Sequence, residues 1–259
     1  MPEVNVMDLY RLTGKVALIT GGSKGLGASM AKGLAQAGAT TVICSRTQAD
    51  CDAVAKEIAS ETGQESFGIA GDVTREGDVD HMFQSVVEKY GKIDVLINSA
   101  GINIRHMIED FPLHEFQRII DINLTGVWLC CRAAARIMKP QKSGSVINVA
   151  SALSAIGLPE RTAYCSSKAG LIGMTQTLAL EWASSNVRCN ALCPGPFLTE
   201  INVPLLKEPE KVQKLLSNTA LNRWAEMHEI RGAALFLASD ASSFMTGASL
   251  YLDGGWTAH

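Results

Sequence analysis

Residues 15–27, KVALITGGSKGLG, join a short apolar run to a glycine-rich loop and the start of a helical pattern. The apolar part, residues 15–20, is typical of a strand that is buried on both faces of a parallel sheet. The loop then places Gly21, Gly25 and Gly27 where the backbone can turn sharply and approach a diphosphate closely. A helix that begins after such a loop offers free N–H groups and partial positive charge to an anion. Strand, loop and helix together predict a dinucleotide-binding unit.

The alternation of strand and helix patterns continues along the whole chain. It predicts a doubly wound parallel sheet with helices on both faces, because right-handed crossovers place helices on either side. We expect a single α/β domain over residues 1–259, a three-layer sandwich with a seven-stranded parallel sheet. A segment at 197–226 interrupts the alternation and is expected on the substrate side, either as a mobile lid or as a static helical cap. The predicted strands are residues 15–20, 40–45, 67–73, 94–100, 145–151, 187–193 and 249–253.

Composition and charge exclude several classes of protein. The 259 residues carry a net charge of −3 without a run of Lys and Arg, so we expect neither nucleic acid nor an anionic membrane as a partner. No apolar run approaches the ~20 residues of a membrane span, and we expect no signal peptide. The seven cysteines lack zinc-type spacing and indicate buried small hydrophobes in a reducing compartment. We therefore expect a cytoplasmic protein without a metal site.

The end of the second predicted strand indicates which dinucleotide binds. An NAD enzyme places a carboxylate about 20 residues after the last glycine, on the ribose 2′-hydroxyl. This chain has Ser45 and Arg46 there, and Arg46 can bind a 2′-phosphate while Ser45 donates to it. Lys24 adds a second cation within the glycine loop. The alternative is a set of solvated basic side chains, but we predict NADP(H), with NAD(H) as the second choice.

Two further strand ends carry candidate cofactor contacts. Asp72 and Val73 end the third predicted strand, where Asp72 could accept from the adenine amino group or act as the N-cap of the next helix. The motif NSAG (98–101) ends the fourth. Its Asn98 can tie neighbouring strands together, and Gly101 lets the backbone pass close to the cofactor.

The motif YCSSK (164–168) places Tyr164 and Lys168 four residues apart, one helical turn from each other. The apolar residues Leu171 and Met174 continue roughly the same stripe, so we expect the pair to face the sheet. An ordinary surface pair is the alternative. A buried ammonium beside a phenol favours the phenolate, which makes the pair a candidate acid–base group.

Two other polar residues belong near this pair. Ser151 ends the fifth predicted strand, thirteen residues before Tyr164, and both are expected at the carboxyl edge of the sheet. Asn123 lies within a predicted helical stretch at about 114–139, although asparagine is a poor helix former. It indicates a local kink or a bound water there, with an ordinary hydrogen-bonded asparagine as the alternative.

Taken in order along the chain, these motifs resemble those of the short-chain dehydrogenase/reductase family from end to end. The resemblance implies a Rossmann-type fold and an NAD(P)-dependent oxidoreductase that interconverts a carbonyl and a secondary alcohol. Ser99 departs from the family, which usually has a second Asn in NNAG, and we expect little effect on the chemistry. The motifs are TGGSKGLG (20–27), NSAG (98–101), Asn123, Ser151, YCSSK (164–168) and PG (194–195).

The resemblance also implies roles for four residues. Tyr164 would exchange a proton with the substrate oxygen, and Ser151 would hydrogen-bond that oxygen and stabilise the alkoxide. Lys168 would favour the phenolate and hold the nicotinamide ribose, and Asn123 would hold a water that links Lys168 to solvent. The family is usually tetrameric, which implies a homotetramer built from the long helices, the last strand and the C-terminal tail. Further cofactor contacts are expected at Ser23, Leu26, Ala100, Pro194, Gly195, Phe197 and Thr199, with Tyr164 and Lys168 themselves.

The substrate is the least determined part of the prediction. Arg105, His106 and Arg161 could bind a carboxylate or phosphate, although each alone is more often a surface ion pair. The runs GINIRHMIEDF and RWAEMHEIRG look most like gluconate 5-dehydrogenases and 3-oxoacyl-[acyl-carrier-protein] reductases, and the two arginines favour the sugar acid. A cofactor-binding regulator without catalysis is a third hypothesis, which the complete Ser/Tyr/Lys set opposes. The other candidate substrate contacts are Asn103, Leu153, Pro159 and the segment 197–206.

Overall fold

The structure, a computed structural model, describes residues 5–199 and 206–258. Seven strands form one parallel sheet in the order β3-β2-β1-β4-β5-β6-β7, which confirms the predicted doubly wound α/β fold. The chain reverses direction across the sheet between β1 and β4, and ligands of such sheets bind at this switch point. The strands are β1 (Val16–Thr20), β2 (Thr40–Ser45), β3 (Ser66–Ala70), β4 (Val95–Asn98), β5 (Gly144–Val149), β6 (Val187–Pro194) and β7 (Ser249–Leu252).

Helices cover both faces of the sheet, so the central strands are apolar on both sides. In β1, Leu18 packs in one core layer with Leu129 and Leu171, while Ile19 packs in the other with Leu34 and Ile230. The helices are α1 (Gly25–Gln36), α2 (Gln48–Thr62), α3 (Glu76–Tyr90), α4 (Leu113–Ile120), α5 (Gly126–Gln141), α6 (Thr162–Trp182), α7 (Pro209–Ser217) and α8 (Glu229–Ala238).

Three strands end two or three residues earlier than predicted, and the residues that follow form loops at the carboxyl edge. β3 ends at Ala70, and Asp72 then closes a turn by accepting from the backbone N–H of Thr74 at 2.9 Å. In the same way β4 ends at Asn98 and β5 at Val149. The predicted functional side chains therefore project from loops beyond the sheet, which leaves them open to a ligand.

The predicted long helix at 114–139 is broken by a π-helical turn at Asp121–Thr125, between α4 and α5. Asn123 lies in this turn and is fully buried. Its amide donates to the carbonyl of Ile102 at 2.9 Å and accepts from the N–H of Ile102 at 2.8 Å. The departure from a regular helix is thus a π turn, and Asn123 within it is hydrogen-bonded to the loop after β4, as the alternative had it.

The predicted excursion at 197–226 contains α7, which begins with a proline and carries Leu215 toward the cleft described below. Its apolar residues Val203 and Leu205 lie outside the described residues. A parallel bridge joins Phe197 to Ala225, so the two ends of the excursion meet at the sheet edge. Within the described parts of the chain, no helix is long and apolar enough to cross a membrane.

Candidate functional site

A cleft of about 1230 Å³ lies along the carboxyl edge of the sheet, and it brings together residues predicted for both cofactor and chemistry. It runs over the switch point between β1 and β4, as expected for this architecture. Among the described residues, no group of three or more His, Cys, Asp or Glu could hold a metal ion. The predicted residues in its wall are Gly21, Ser23, Lys24, Gly25, Leu26, Gly27, Ser45, Arg46, Asp72, Val73, Ala100, Gly101, Asn103, Ser151, Leu153, Arg161, Tyr164, Lys168, Pro194, Gly195, Phe197 and Thr199.

The glycine loop forms a backbone cradle between β1 and α1. Gly21 has φ +63°, and a Cβ at this position would lie 2.7 Å from the backbone nitrogen of Ala100. A Cβ on Gly27 would overlap the carbonyl oxygen of Gly21. Side chains are therefore excluded from the space in front of the N-terminus of α1, where N–H groups point outward. This electropositive cradle, kept free of side chains by the glycines, fits the diphosphate of a dinucleotide.

The adenosine end of the cleft is lined by the residues after β2 and β3. Ser45 is partly buried, and its hydroxyl lies 3.1 Å from the Cys51 thiol of α2. Arg46 is exposed, and none of the described carboxylates forms an ion pair with it. Asp72 accepts from both the N–H and the hydroxyl of Thr74. Because α3 begins at Glu76, the alternative that Asp72 is its N-cap residue is wrong, and Asp72 closes the preceding turn instead.

Ser151, Tyr164 and Lys168 meet near the middle of the cleft. The Ser151 hydroxyl accepts from the N–H of Leu153 at 3.1 Å and also hydrogen-bonds to the Tyr164 phenol. Lys168 Nζ lies 5.7 Å from the centre of the Tyr164 ring and donates to the carbonyl of Val149 at 2.7 Å. The pair faces inward, because Lys168 is only 5% exposed. The surface-pair alternative is therefore wrong.

Burial dominates the proton affinities of this group. It raises the pKa of Tyr164 above its ordinary value, and the Ser151 hydrogen bond opposes it only in part. It lowers the pKa of Lys168 to about 8, since an ammonium loses hydration there. In the protein alone the phenol is thus protonated at neutral pH, and the ammonium does not offset the effect of burial on it.

Two predicted residues lie beneath the cleft wall rather than in it. Asn123 is buried behind Gly101: a Cβ on that glycine would lie 3.3 Å from Asn123 Oδ1 and 3.7 Å from Lys168 Nζ. Asn98 is 1% exposed and donates to Asn148 Oδ1 at 2.9 Å. The expected tie between β4 and β5 is confirmed, whereas the prediction of Asn98 as a cofactor contact is not supported by its buried side chain.

The predicted substrate residues separate into two groups. Asn103, Leu153 and Arg161 line the cleft, whereas Arg105, His106 and Pro159 do not. His106 Nε2 lies 2.6 Å from Glu115 Oε2, a contact of the kind considered as the alternative for it. Arg161 differs from an ordinary surface arginine, because it is only 5% exposed. Burial, followed by the charge of Arg105, lowers the pKa of Arg161 to about 10.

The structure adds a wall that the sequence analysis missed. Trp256 is 9% exposed and packs with Leu153, next to Tyr164. It reaches the cleft because Asp253 closes a turn, in which its carboxylate accepts from the N–H of Thr257, and because Gly254 and Gly255 both have positive φ. The motif DGGW after the last strand was the available signal for such a turn. Other unpredicted residues of the cleft wall are His114, Gln117, Arg118, Asp121, Ile122, Leu158 and Leu215.

Comparison with known proteins agrees with this geometry. A family sequence model described as enoyl-(acyl carrier protein) reductase matches residues 21–257. A 3-oxoacyl-[acyl-carrier-protein] reductase of Synechocystis is 37% identical, and the match covers 94% of this chain and 97% of that protein. A 5-keto-D-gluconate 5-reductase of Escherichia coli is 35% identical over 96% of this chain and 97% of its own length.

A solved structure extends the likeness to three dimensions. The gluconate 5-dehydrogenase of Burkholderia cenocepacia, crystallised with NADP and tartrate, has a TM-score of 0.95 and is 34% identical. The superposition covers 98% of this chain and 100% of that one. Since the glycine cradle and the Ser151, Tyr164 and Lys168 group also stand in one cleft, the chain belongs to the short-chain dehydrogenase/reductase family of oxidoreductases.

Proposed function

We propose that this protein is an NADP(H)-dependent oxidoreductase that interconverts a ketone and a secondary alcohol on a sugar acid, as a gluconate 5-dehydrogenase does. The observation that carries the substrate class is Arg161, an arginine that is 5% exposed and lies in the same cleft as Tyr164. A buried guanidinium loses hydration and is stabilised by an anion that makes bidentate hydrogen bonds. A carboxylate on the substrate supplies such an anion.

The proposed chemistry uses the three central side chains. Bound NADPH supplies the hydride, as it does throughout dinucleotide enzymes. Tyr164 gives its proton to the substrate oxygen, because burial keeps the phenol protonated. Ser151 donates to the same oxygen and stabilises the negative charge that develops on it. Lys168, largely an ammonium at pH 7, raises the acidity of the phenol once the proton begins to leave.

Asn123 is proposed to support the Ser151, Tyr164 and Lys168 group from its buried position beneath the cleft wall. Its side-chain amide bonds both backbone groups of Ile102 and also donates to the Ser167 hydroxyl of α6 at 3.2 Å, so it ties the loop that carries Gly101 to the helix that carries Lys168. The π turn around Asn123 leaves backbone groups out of the regular helical ladder, and a water held there would connect Lys168 to solvent. Tyr164 would regain its proton along this route.

The preference for NADP(H) is proposed from Ser45 and Arg46. No carboxylate follows β2 directly, where an NAD enzyme places one, and Ser45 and Arg46 offer a hydroxyl and an exposed guanidinium to a 2′-phosphate. Lys24 contributes a second cation in the wall of the same cleft. The related Burkholderia enzyme was crystallised with NADP, which supports this choice over NAD.

A second candidate function is 3-oxoacyl-[acyl-carrier-protein] reductase. It is favoured by the 37% identity to the Synechocystis enzyme, and Arg105 and Arg161 could also serve an acidic carrier protein. However, the charges at this end of the cleft are mixed: Glu160 and Glu208 both act on Arg105. A carrier-protein docking site calls for an unmixed basic patch. A regulator without catalysis is opposed by the complete Ser151, Tyr164 and Lys168 group.

Kinetics with NADPH tests the proposal. We expect turnover of 5-ketogluconate with a kcat/KM at least tenfold above that for an acetoacetyl thioester, and the reverse order would establish the second candidate. Arg161→Gln is expected to raise the KM for 5-ketogluconate about tenfold, because a charge-assisted hydrogen bond contributes about 1.5–3 kcal/mol. Arg75→Gln, at an exposed arginine outside the cleft, is the matched control and should leave KM unchanged.

We also propose a single catalytic domain that assembles as a homotetramer in the cytoplasm. The large apolar side chains of Trp128 on α5 and Leu180 on α6 are 45% and 82% exposed, which supports a helix-to-helix contact between copies. Phe244, which precedes the edge strand β7, is fully exposed and supports a second contact between copies. Light scattering that gave the mass of one 27.7 kDa chain would contradict the assembly.

A further inference from the structure

A cluster of five charged side chains lies where the loop before α6 meets α7. We name it the mouth cluster: Arg105, Glu160, Arg161, Glu208 and Lys211. Arg161 is its innermost member and lines the cleft, whereas Lys211 on α7 is half exposed. The cluster thus connects the wall of the substrate end to the surface of the excursion.

Glu160 stands between Arg161 and Lys211, two of the three cations of this cluster. Its Oε2 lies 3.6 Å from Arg161 Nη1, and its Oε1 lies 3.7 Å from Lys211 Nζ. Both distances exceed that of a charge-assisted hydrogen bond, so neither contact is fully formed. Lys211 makes its close contact, 2.7 Å, with Glu208 instead. One carboxylate is therefore shared loosely between a buried arginine and an exposed lysine.

The backbone limits how far Glu160 can move. Its φ is +65°, a left-handed conformation that is uncommon for a residue other than glycine. Arg161 also donates to the carbonyl of Glu160 at 3.3 Å, which holds the peptide in place. Because the backbone is held, the carboxylate reaches either cation only by rotating its own side chain.

We propose that Glu160 competes with the substrate carboxylate for Arg161, and that Lys211 draws Glu160 away from it. The inference rests on the proposed sugar-acid substrate. Among the described carboxylates, Glu160 alone forms an ion pair with Arg161. The substrate carboxylate and Glu160 therefore bind the same guanidinium. When the substrate binds, Glu160 turns to Lys211, and the ion pair then ties α7 to the loop before α6. Glu160 and Lys211 are thus specificity-determining residues that act through Arg161.

Opposite effects of the two substitutions distinguish this competition from simple structural support. Glu160→Gln removes the competitor, so an anionic ligand should bind more tightly. Lys211→Gln releases Glu160 to Arg161, so the same ligand should bind more weakly. Each change should be about threefold, since partly exposed ion pairs are worth less than about 1 kcal/mol. Both side chains are exposed enough for the variants to fold: Glu160 is 36% and Lys211 is 51% exposed.

The experiment uses the full chain loaded with NADPH, which forms a non-reacting complex with an alcohol. Calorimetry compares D-gluconate with D-glucitol, which has the same carbon chain without a carboxylate. We expect tighter gluconate binding in Glu160→Gln and weaker binding in Lys211→Gln, with glucitol unchanged in both. Glu210→Gln is the matched control, because it makes the same charge change on α7 without an ion pair to the described cations.

The outcomes separate the inference from the proposed function. If the wild-type protein prefers gluconate but the two variants shift in the same direction, or neither shifts, the competition is wrong and the sugar-acid substrate stands. If the wild-type protein binds gluconate and glucitol equally, the sugar-acid substrate is wrong, and the competition is wrong with it. An equal shift of the gluconate affinity in Glu210→Gln would mean that the overall charge of α7, and not Glu160 itself, acts on the ligand.

Discussion

The cofactor end and the substrate end of the cleft are shaped by different parts of the chain. At the cofactor end, the backbone shapes the cleft. Glycines keep side chains out of the space that β1, α1 and the loop after β4 enclose. At the substrate end, the shape comes from side chains of four separate segments, represented by Asn103, Arg161, Leu215 and Trp256. A backbone cradle tolerates almost no added atom, whereas a side-chain wall can change its chemistry by substitution. One fold can thus keep its cofactor and exchange its substrate.

This difference predicts that the largest effect comes from a small change at Tyr164, where the cofactor end and the substrate end of the cleft meet. Tyr164→Phe removes one oxygen from the substrate side of the cofactor. We expect kcat for 5-ketogluconate reduction to fall by about 10²–10⁴, because general acid catalysis contributes that much. The Kd for NADPH, measured by its fluorescence, should change less than twofold.

Tyr90→Phe is the control for this substitution, since the Tyr90 hydroxyl contacts Glu65 on the surface, away from the cleft. Retention of full activity in Tyr164→Phe would refute the role of Tyr164. Equal losses of turnover and of NADPH affinity would show instead that the tyrosine supports the cofactor end.

The cofactor end should respond to a single added methyl group. Gly27→Ala is expected to weaken NADPH binding by up to about a hundredfold, because overpacking against the Gly21 carbonyl costs about 1–3 kcal/mol and moves the cradle. Gly77→Ala in α3 is the matched control, as its Cβ would meet nothing within 4 Å. Calorimetric titration and thermal melts check both variants. A Gly27→Ala protein with normal affinity and stability would contradict the rigid cradle.

Sequence patterns were informative where the backbone alone sets the geometry. The glycine spacing and the alternation of apolar runs are local features, and β2 begins and ends at the predicted residues, 40 and 45. The positions of Ser151 and Tyr164 followed from where strands end, since parallel strands deliver their carboxyl ends to one edge. The fold and the residues that meet in the cleft were therefore predictable from short-range pattern, whereas their catalytic roles came from the family resemblance.

Other features depend on contacts between distant segments, which no local pattern records. The π turn at Asn123 is stabilised by Ile102, 21 residues away, and the interior position of Asn98 by Asn148, 50 residues away. Taken alone, Arg161 was more often expected as a surface ion pair than as a ligand contact, whereas the fold buries it in the cleft wall. Trp256 enters the cleft through a turn whose direction the glycine pair permits but does not specify.

An intermediate effect is expected where a side chain, not the backbone, recognises the cofactor. Arg46→Gln should raise the Kd for NADPH about thirtyfold and leave that for NADH within twofold, because a charged hydrogen bond to the 2′-phosphate contributes about 1.5–3 kcal/mol. Arg11→Gln, at an exposed arginine outside the cleft, serves as the control. Equal losses for both dinucleotides would place Arg46 on the diphosphate or the adenine. No loss of affinity for either dinucleotide would show that Arg46 does not bind the cofactor.

The smallest expected effect is a pH dependence that reports on Lys168, which both ends of the cleft share. Its pKa of about 8 lies below the ordinary value, whereas burial raises the pKa of Tyr164 and raises that of Cys193 to about 11. Lys168 alone of these three therefore loses its proton between pH 7 and 9. Since kcat/KM reports the free enzyme, kcat/KM for NADPH should fall about tenfold as pH rises from 7 to 9.

Lys168→Arg tests the assignment, because a guanidinium keeps its charge through this range. The variant should be less active at every pH, since the arginine cannot reproduce the contact with the Val149 carbonyl, but its profile should be flat from pH 7 to 9. A decline that persists at the same pH in Lys168→Arg would assign it to another group and leave the ammonium without a measurable part in binding NADPH. A flat profile in the wild-type protein would mean that Lys168 stays protonated despite its burial.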